Sequence, residues 1–185
     1  MAQAKKRKKF FDVEIPLIKR ETQVIAFALE NLNERHIKYD LTRMLRGKGM
    51  LLQAKIKIED NKAIAHPTKI QLMPFYLKRM VRKGTNYVED SFSTETKDSQ
   101  IRIKPFLITR RKVSRAVRKA LREKAREELI EYVKTKETEE LFQDILKNNL
   151  QRVLSLKLKK VYPLSACEIR VLRVEKELEK KKEKK

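Results

Sequence analysis

The spacing of apolar residues changes near Lys112, and that change excludes both an all-β and an all-α fold. Upstream, apolar and polar residues alternate. Phe11-Asp12-Val13-Glu14-Ile15 alternates and stops at Pro16. Ile37, Tyr39 and Leu41 alternate with Lys38, Asp40 and Thr42; Leu52, Ala54, Ile56 and Ile58 alternate with Gln53, Lys55, Lys57 and Glu59. A period of two puts successive side chains on opposite faces of a strand, so these segments read as half-buried strands. Asp60-Asn61-Lys62 is a turn leading to a second strand that ends near Ile70-Gln71-Leu72. Met73–Lys83 reads as a short helix, with Met73, Leu77, Met80 and Val81 on one face and Gly84 as its C-cap. Tyr87–Thr96 and Gln100–Ile108 form a hairpin about Lys97-Asp98-Ser99. Pro105 has no amide to donate and marks an edge or a bulge in it.

Downstream of Lys112 the period becomes 3.6. Val113, Ala116, Val117, Ala120 and Leu121 line the core face of a helix whose apolar face drifts after Ala125 to Leu129, Tyr132 and Val133. A second amphipathic helix carries Glu139 and Glu140 in its first turn and Leu141, Phe142, Ile145, Leu146, Leu150, Val153 and Leu154 inward. After Pro163, Cys167–Val171 returns to strand period. The expected fold is α+β: an antiparallel, barrel-like β core with a basic helix and a second amphipathic helix packed against it. Residues 1–9 read as a disordered basic arm, 10–175 as one domain, and 176–185 as a charged low-complexity tail.

Charge determines the partner. There are 47 Lys and Arg against 25 Asp and Glu, a net +22; residues 1–10 carry +5 and 176–185 carry +3, so +14 lies on residues 11–175. Self-repulsion of this size signals a polyanion, most commonly nucleic acid. From Arg102 to Arg126 there are eleven basic residues and one acidic, Glu123. On a helix of about 100° per residue, Arg111, Arg115, Arg118, Lys119, Arg122 and Arg126 fall in an arc of about 100°, opposite the apolar face. Arg110 and Lys112 lead into it. A solvated face normally mixes signs, so this stripe is the first candidate RNA contact. Lys78, Arg79, Arg82, Lys83 and Thr85 form a second cluster, and the arm Lys5, Lys6, Arg7, Lys8 and Lys9 a third.

Catalytic constellations are lacking. His36 and His66 have no carboxylate or cysteine at ligand spacing, and Cys167 has no histidine to activate it. Arg46-Gly47-Lys48-Gly49-Met50 departs from the Gly-x4-Gly-Lys-Ser/Thr phosphate loop and reads as a strand-to-strand loop. No enzyme, metal or cofactor is expected. One cysteine fits a reducing interior, and no run reaches the roughly 18 apolar residues of a membrane span, so an intracellular protein without a membrane partner is expected.

Four stretches carry a resemblance to a known family. They are Lys9–Pro16 (KFFDVEIP), Leu77–Thr85 (LKRMVRKGT), Thr94–Asp98 with Ile108–Lys112, and Lys159–Leu164 (KKVYPL) followed by Glu168-Ile169-Arg170. The chain resembles the archaeal and eukaryotic small-subunit ribosomal protein family called eukaryotic-type S-one, or S-three-a. The resemblance implies a barrel-like core on the platform of the small subunit. It implies ribosomal RNA and neighbouring small-subunit proteins as partners, with messenger RNA near the exit as a further candidate. A cytoplasmic, ribosome-bound, non-catalytic protein follows from it. Leu17–Arg35 looks shorter than the matching loop of many members, so that loop's contacts are not carried over. No long C-terminal extension of the eukaryotic kind is read, and an archaeal-type member is expected. The competing reading is a free-standing chromatin or RNA-chaperone module. That reading would call for Asn, Gln or Arg placed for base edges; the helix has no Asn or Gln between Arg111 and Arg126, which favours phosphate binding.

Overall fold

Alternating sequence becomes strand wherever one face can be covered. A computed structural model describes residues 7–59 and 62–177. Its contacts gather into two units: the described residues up to Tyr39 with Leu52–Thr68, and Asp40–Leu51 with the described residues from Lys69 onward.

In the first unit, β1 (Lys9–Ile15) and β2 (Arg20–Ala26) form an antiparallel hairpin from Lys9 opposite Ala26 to Ile15 opposite Arg20. The 3-10 turn Pro16–Ile18 joins them, closed by Lys19 in the left-handed region at φ 51°. Val13 and Ile15 are buried while Asp12 and Glu14 face out. The strand β3 (His36–Asp40) pairs with β4 (Met50–Glu59), and β4 pairs with β5 (Lys62–Leu72). The β1 strand runs parallel to β5 at Val13 and Ala63. Leu52, Ala54 and Ile56 are at most 1% exposed, matching the alternation read in the sequence. The expected turn at Asp60-Asn61 lies outside the described residues, as do Lys5, Lys6 and the tail beyond Glu177. The strand β2 lies in a segment with no strand expected, because Val24-Ile25-Ala26-Phe27 is a continuous apolar run without a period of two. β1 opens at Lys9, the last residue of the expected arm.

In the second unit, the end of β5 pairs antiparallel with β9 (Leu164–Glu177), and β9 pairs with β8 (Ser99–Thr109). β6 (Tyr87–Glu89) and β7 (Phe92–Glu95) lie along the other edge of β8. The register of β8 against β9 shifts at Lys104/Pro105. Pro105 is therefore at a bulge in an internal strand. β9 reaches Glu177, opposite Ser99, extending into the first residues of the expected tail. Among the described residues the pairing order β2-β1-β5-β9-β8-β6 does not join end to end, so the sheet is open where a barrel-like core was expected.

Four helices complete this unit among the described residues: α1 (Pro74–Met80), α2 (Arg115–Lys134), α3 (Thr138–Leu146) and α4 (Asn149–Leu158). α1 stops earlier than expected: Val81 is extended, and Gly84, at φ 85°, serves the following Arg82–Thr85 turn. The expected second amphipathic helix is two helices, broken at Asn148, which takes φ 60°. Asparagine tolerates that conformation, and the apolar spacing continues through the break and hides it. Val153, expected inward, is 40% exposed.

The buried residues of α2 are Leu121, Ala125, Leu129 and Val133. Each step of four residues advances a position by about 40° around a helix, so the buried face winds round α2. The expected core positions Ala116 and Ala120 are consequently exposed, and Val113 and Val117 are only half-buried. No residue from Arg115 to Ala120 is buried.

Candidate nucleic-acid interface

The basic end of α2 is built by a clasp at Asn86. Its backbone accepts from the Thr109 amide at 2.9 Å and the Thr109 hydroxyl at 3.0 Å, its own amide donates to Thr109 Oγ1 at 3.0 Å, and its Oδ1 accepts from the Val113 amide at 2.8 Å. Thr109 is fully buried there. Ser114 then caps α2, its side chain accepting from the Val117 amide. The clasp brings two sequence clusters together. The turn Arg82–Thr85 immediately precedes Asn86, and Arg110, Arg111 and Lys112 lie between Thr109 and Val113. Arg82, Lys83, Arg110, Arg111 and Lys112 are all exposed. Thr85 is half-buried and spends its hydroxyl on the Arg82 carbonyl at 2.8 Å, so it shapes the turn. Lys78 and Arg79 are exposed on α1.

Along α2, Arg115, Lys119, Arg122 and Arg126 are exposed. Lys119 has Glu123 at 3.7 Å, a solvated pair, and the Arg126 guanidinium lies 5.4 Å from the centre of the Phe92 ring. Arg118 departs from the expected stripe: it is half-buried, and its Nε is buried with no hydrogen-bond partner. It lies about 60° round the helix from Leu121, on the side to which the buried face turns. In the first unit, Arg7, Lys8 and Lys9 are exposed, with Lys8 Nζ 5.5 Å from the Phe27 ring centre.

A further cationic surface comes from strand register. Lys69 of β5 is opposite Arg173 of β9, and Arg173 is opposite Arg102 of β8. Three cations thus lie in one row across three adjacent strands, an arrangement that repels itself. Arg102, Lys104 and Lys69 are the outward partners of the buried Ile101, Ile103 and Ile70. The row lines a groove of about 740 Å³ that Lys104, Arg122 and Arg170 also line. Glu175 takes Arg102 and Glu89 takes Arg170, each at 2.7 Å. Lys69, Lys104, Arg122 and Arg173 have no carboxylate partner among the described residues. None of Lys69, Arg102, Lys104, Arg170 and Arg173 was among the candidate contacts from sequence. Arg102 is exposed and Lys104 half-buried on β8, and the register places Lys69 and Arg173 beside them.

Among the described residues no group of three or more His, Cys, Asp or Glu could hold a metal, and no helix is long and apolar enough to cross a membrane. The Cys167 thiol, in β9, is pushed up by burial to about 12. What these surfaces can do chemically is bind anionic oxygens through guanidinium forks and lysines.

The model of the Ribosomal S3Ae family matches residues 2–177. The small ribosomal subunit protein eS1 of Pyrobaculum arsenaticum is 29% identical over 138 residues, covering 74% of this chain and 63% of that protein. That of Nanoarchaeum equitans is 27% identical over 169 residues, covering 85% and 84%. That of Methanothermobacter thermautotrophicus is 32% identical over 100 residues, covering 54% and 51%. The chain thus spans less than two thirds of the Pyrobaculum and Methanothermobacter proteins. The family is one of ribosomal structural proteins rather than enzymes, and the resemblance read from the four sequence stretches agrees with it. This chain belongs to the Ribosomal S3Ae family.

Proposed function

We propose that this protein is a structural constituent of the small ribosomal subunit that binds ribosomal RNA mainly through phosphate contacts. The observation that carries the reading is the cationic row Lys69–Arg173–Arg102, which continues through Lys104 to Arg122 on α2 with four members unneutralised. Like charges opposite one another weaken a free sheet, and a phosphate backbone laid along them removes the repulsion. The exposed ends Arg82-Lys83 and Arg110–Lys112, gathered at Asn86, extend the contact, with the basic arm as a further one. Neighbouring small-subunit proteins are the second class of partner, messenger RNA near the exit is a third, and the protein acts ribosome-bound in the cytoplasm. Sedimentation through a sucrose gradient tests this directly. Tagged protein should travel with the small subunit and survive a moderate salt wash. A protein found only with chromatin, or free at the top of the gradient, would support the free-standing module instead.

A further inference from the structure

The loop between β3 and β4 holds Arg46-Gly47-Lys48-Gly49, and it does something that its departure from a phosphate-loop pattern conceals. It is folded by hydrogen bonds from Leu45 N to Leu41 O, Gly47 N to Thr42 O and Lys48 N to Leu45 O, with Arg46 and Gly47 both at positive φ. Gly49 lets α1 lie directly on it. A Cβ there would meet Phe75 Cζ at 2.6 Å, and the Gly49 carbonyl accepts from Met73 N at 2.9 Å. With α1, α4 and β9 the loop lines an open pocket of about 670 Å³.

Lys48, only 8% exposed, donates to Glu168 at 2.6 Å and Asn148 at 2.7 Å in this pocket. Arg46, Arg79 and Arg152 also line it, are exposed, and have no carboxylate partner among the described residues. Arg79 lies over the Tyr76 ring at 5.3 Å. Asn148, the N-cap of the ten-residue α4, gives its side chain to Lys48 and makes no capping bond, so the first-turn amides of α4 have no side-chain cap beside the pocket. The second, independent feature is Gln151. It is 5% exposed and anchored by Nε2 donating to the Ile145 carbonyl at 3.0 Å, while its Oε1 is buried with no hydrogen-bond partner.

The arginines call for anionic oxygen, whereas Gln151 Oε1 calls for an N–H or O–H donor. A bare phosphate answers only the first. An acidic peptide answers the arginines and can donate from its backbone, but it brings a ring to the Tyr76–Arg79 stack only where an aromatic side chain happens to follow the acid. A nucleotide carries phosphate, flat ring and donors together. We propose that this pocket receives one nucleotide of ribosomal RNA turned out of its helix. Its phosphate is held by Arg46, Arg79 and Arg152, its base lies against the Tyr76–Arg79 stack, and an amino or hydroxyl group donates to Gln151. The proposal rests on the ribosomal RNA reading above and adds a specific site to it.

The test uses the full chain and a transcript of small-subunit ribosomal RNA. Gln151→Leu removes the waiting acceptor, and with it the Nε2 bond to the Ile145 carbonyl, without changing charge; in protein that still melts cooperatively, affinity should fall about three- to ten-fold, as one hydrogen bond implies, with an unchanged salt slope. Arg46→Gln with Arg152→Gln, on the exposed rim, should lower the slope of log K against log salt by up to about two. Ultraviolet crosslinking of the wild-type complex should place a nucleotide on the peptide containing Tyr76. If wild-type protein binds the transcript while both variants bind it equally well, the pocket proposal falls and the broader reading stands. If wild-type protein does not bind, both fall together. Variants that keep RNA affinity but no longer enter the subunit would assign the pocket to a protein partner and overturn the proposal. So would inorganic phosphate competing with the transcript as well as nucleoside 5′-monophosphates do.

Discussion

Asp144 shows how single residues keep the helical layer in register. It is 9% exposed and accepts from Tyr132 Oη at 2.8 Å, from Lys136, and from Asn149 Nδ2 at 3.3 Å. Burial pushes its carboxyl up, but the hydrogen bonds from Lys136, Tyr132 and Asn149 outweigh burial and hold it below the usual carboxylate range. The hydrogen bond to Asp144 in turn lifts Lys136 above the usual lysine range. A depressed carboxyl stabilises the fold above its unfolded value of about 4, and that contribution is lost as pH falls through the folded value. Asp144→Asn should therefore cost about 2–3 kcal/mol in urea unfolding at pH 7 and show a flatter loss of stability below about pH 4 than wild type. Equal stability of the two proteins at pH 7 would show the network to be idle. Cys167 offers a simpler check. With its thiol pushed up to about 12, alkylation at pH 8 should be slower in the native protein than in denaturant; equally fast alkylation of the native protein would contradict the raised thiol. Neither the Asp144 network nor the Gly49 contact with Phe75 could be read from sequence, since each depends on which loop meets which helix.

At the scale of elements, legibility followed from period. β4 alternates cleanly and appears as read. β2 was hidden by its continuous apolar end, and the break at Asn148 by Leu146 and Leu150, which keep helical spacing across it. The basic stripe of α2 was legible as charge, but its inner boundary was not, because the buried face winds from Leu121 to Val133. Arg118 falls inside that winding, so a variant meant to test the stripe must spare it. Arg111, Arg115, Lys119 and Arg122 all changed to Gln should leave folding within about ±0.5 kcal/mol per site while weakening RNA binding evenly across unrelated sequences. Leu129→Ala, on the buried side, should instead cost about 2–5 kcal/mol. Thermal unfolding with a binding titration separates the two; a stripe variant that melts normally and binds RNA as before would be only a solvated face.

For the whole molecule, the sequence reported a net +22 but not where the charge is left uncompensated. The register of β5, β9 and β8 locates part of it, joining positions far apart in the chain into the row Lys69–Arg173–Arg102. A surface of this kind costs the free protein stability that its partner restores. Lys69→Gln with Lys104→Gln and Arg173→Gln removes three unpaired groove cations and relieves the repulsion between opposed strands, so the free protein should melt at the same temperature or higher. The decisive measurement is the salt dependence of its affinity for small-subunit ribosomal RNA beside wild type. Wild type should give a steep slope of log K against log salt, with each neutralised phosphate contributing about −0.7 to −0.9, and the triple variant should be shallower by roughly one unit per lost contact. A normally folded variant with wild-type affinity and slope would contradict the claim that these cations hold the RNA.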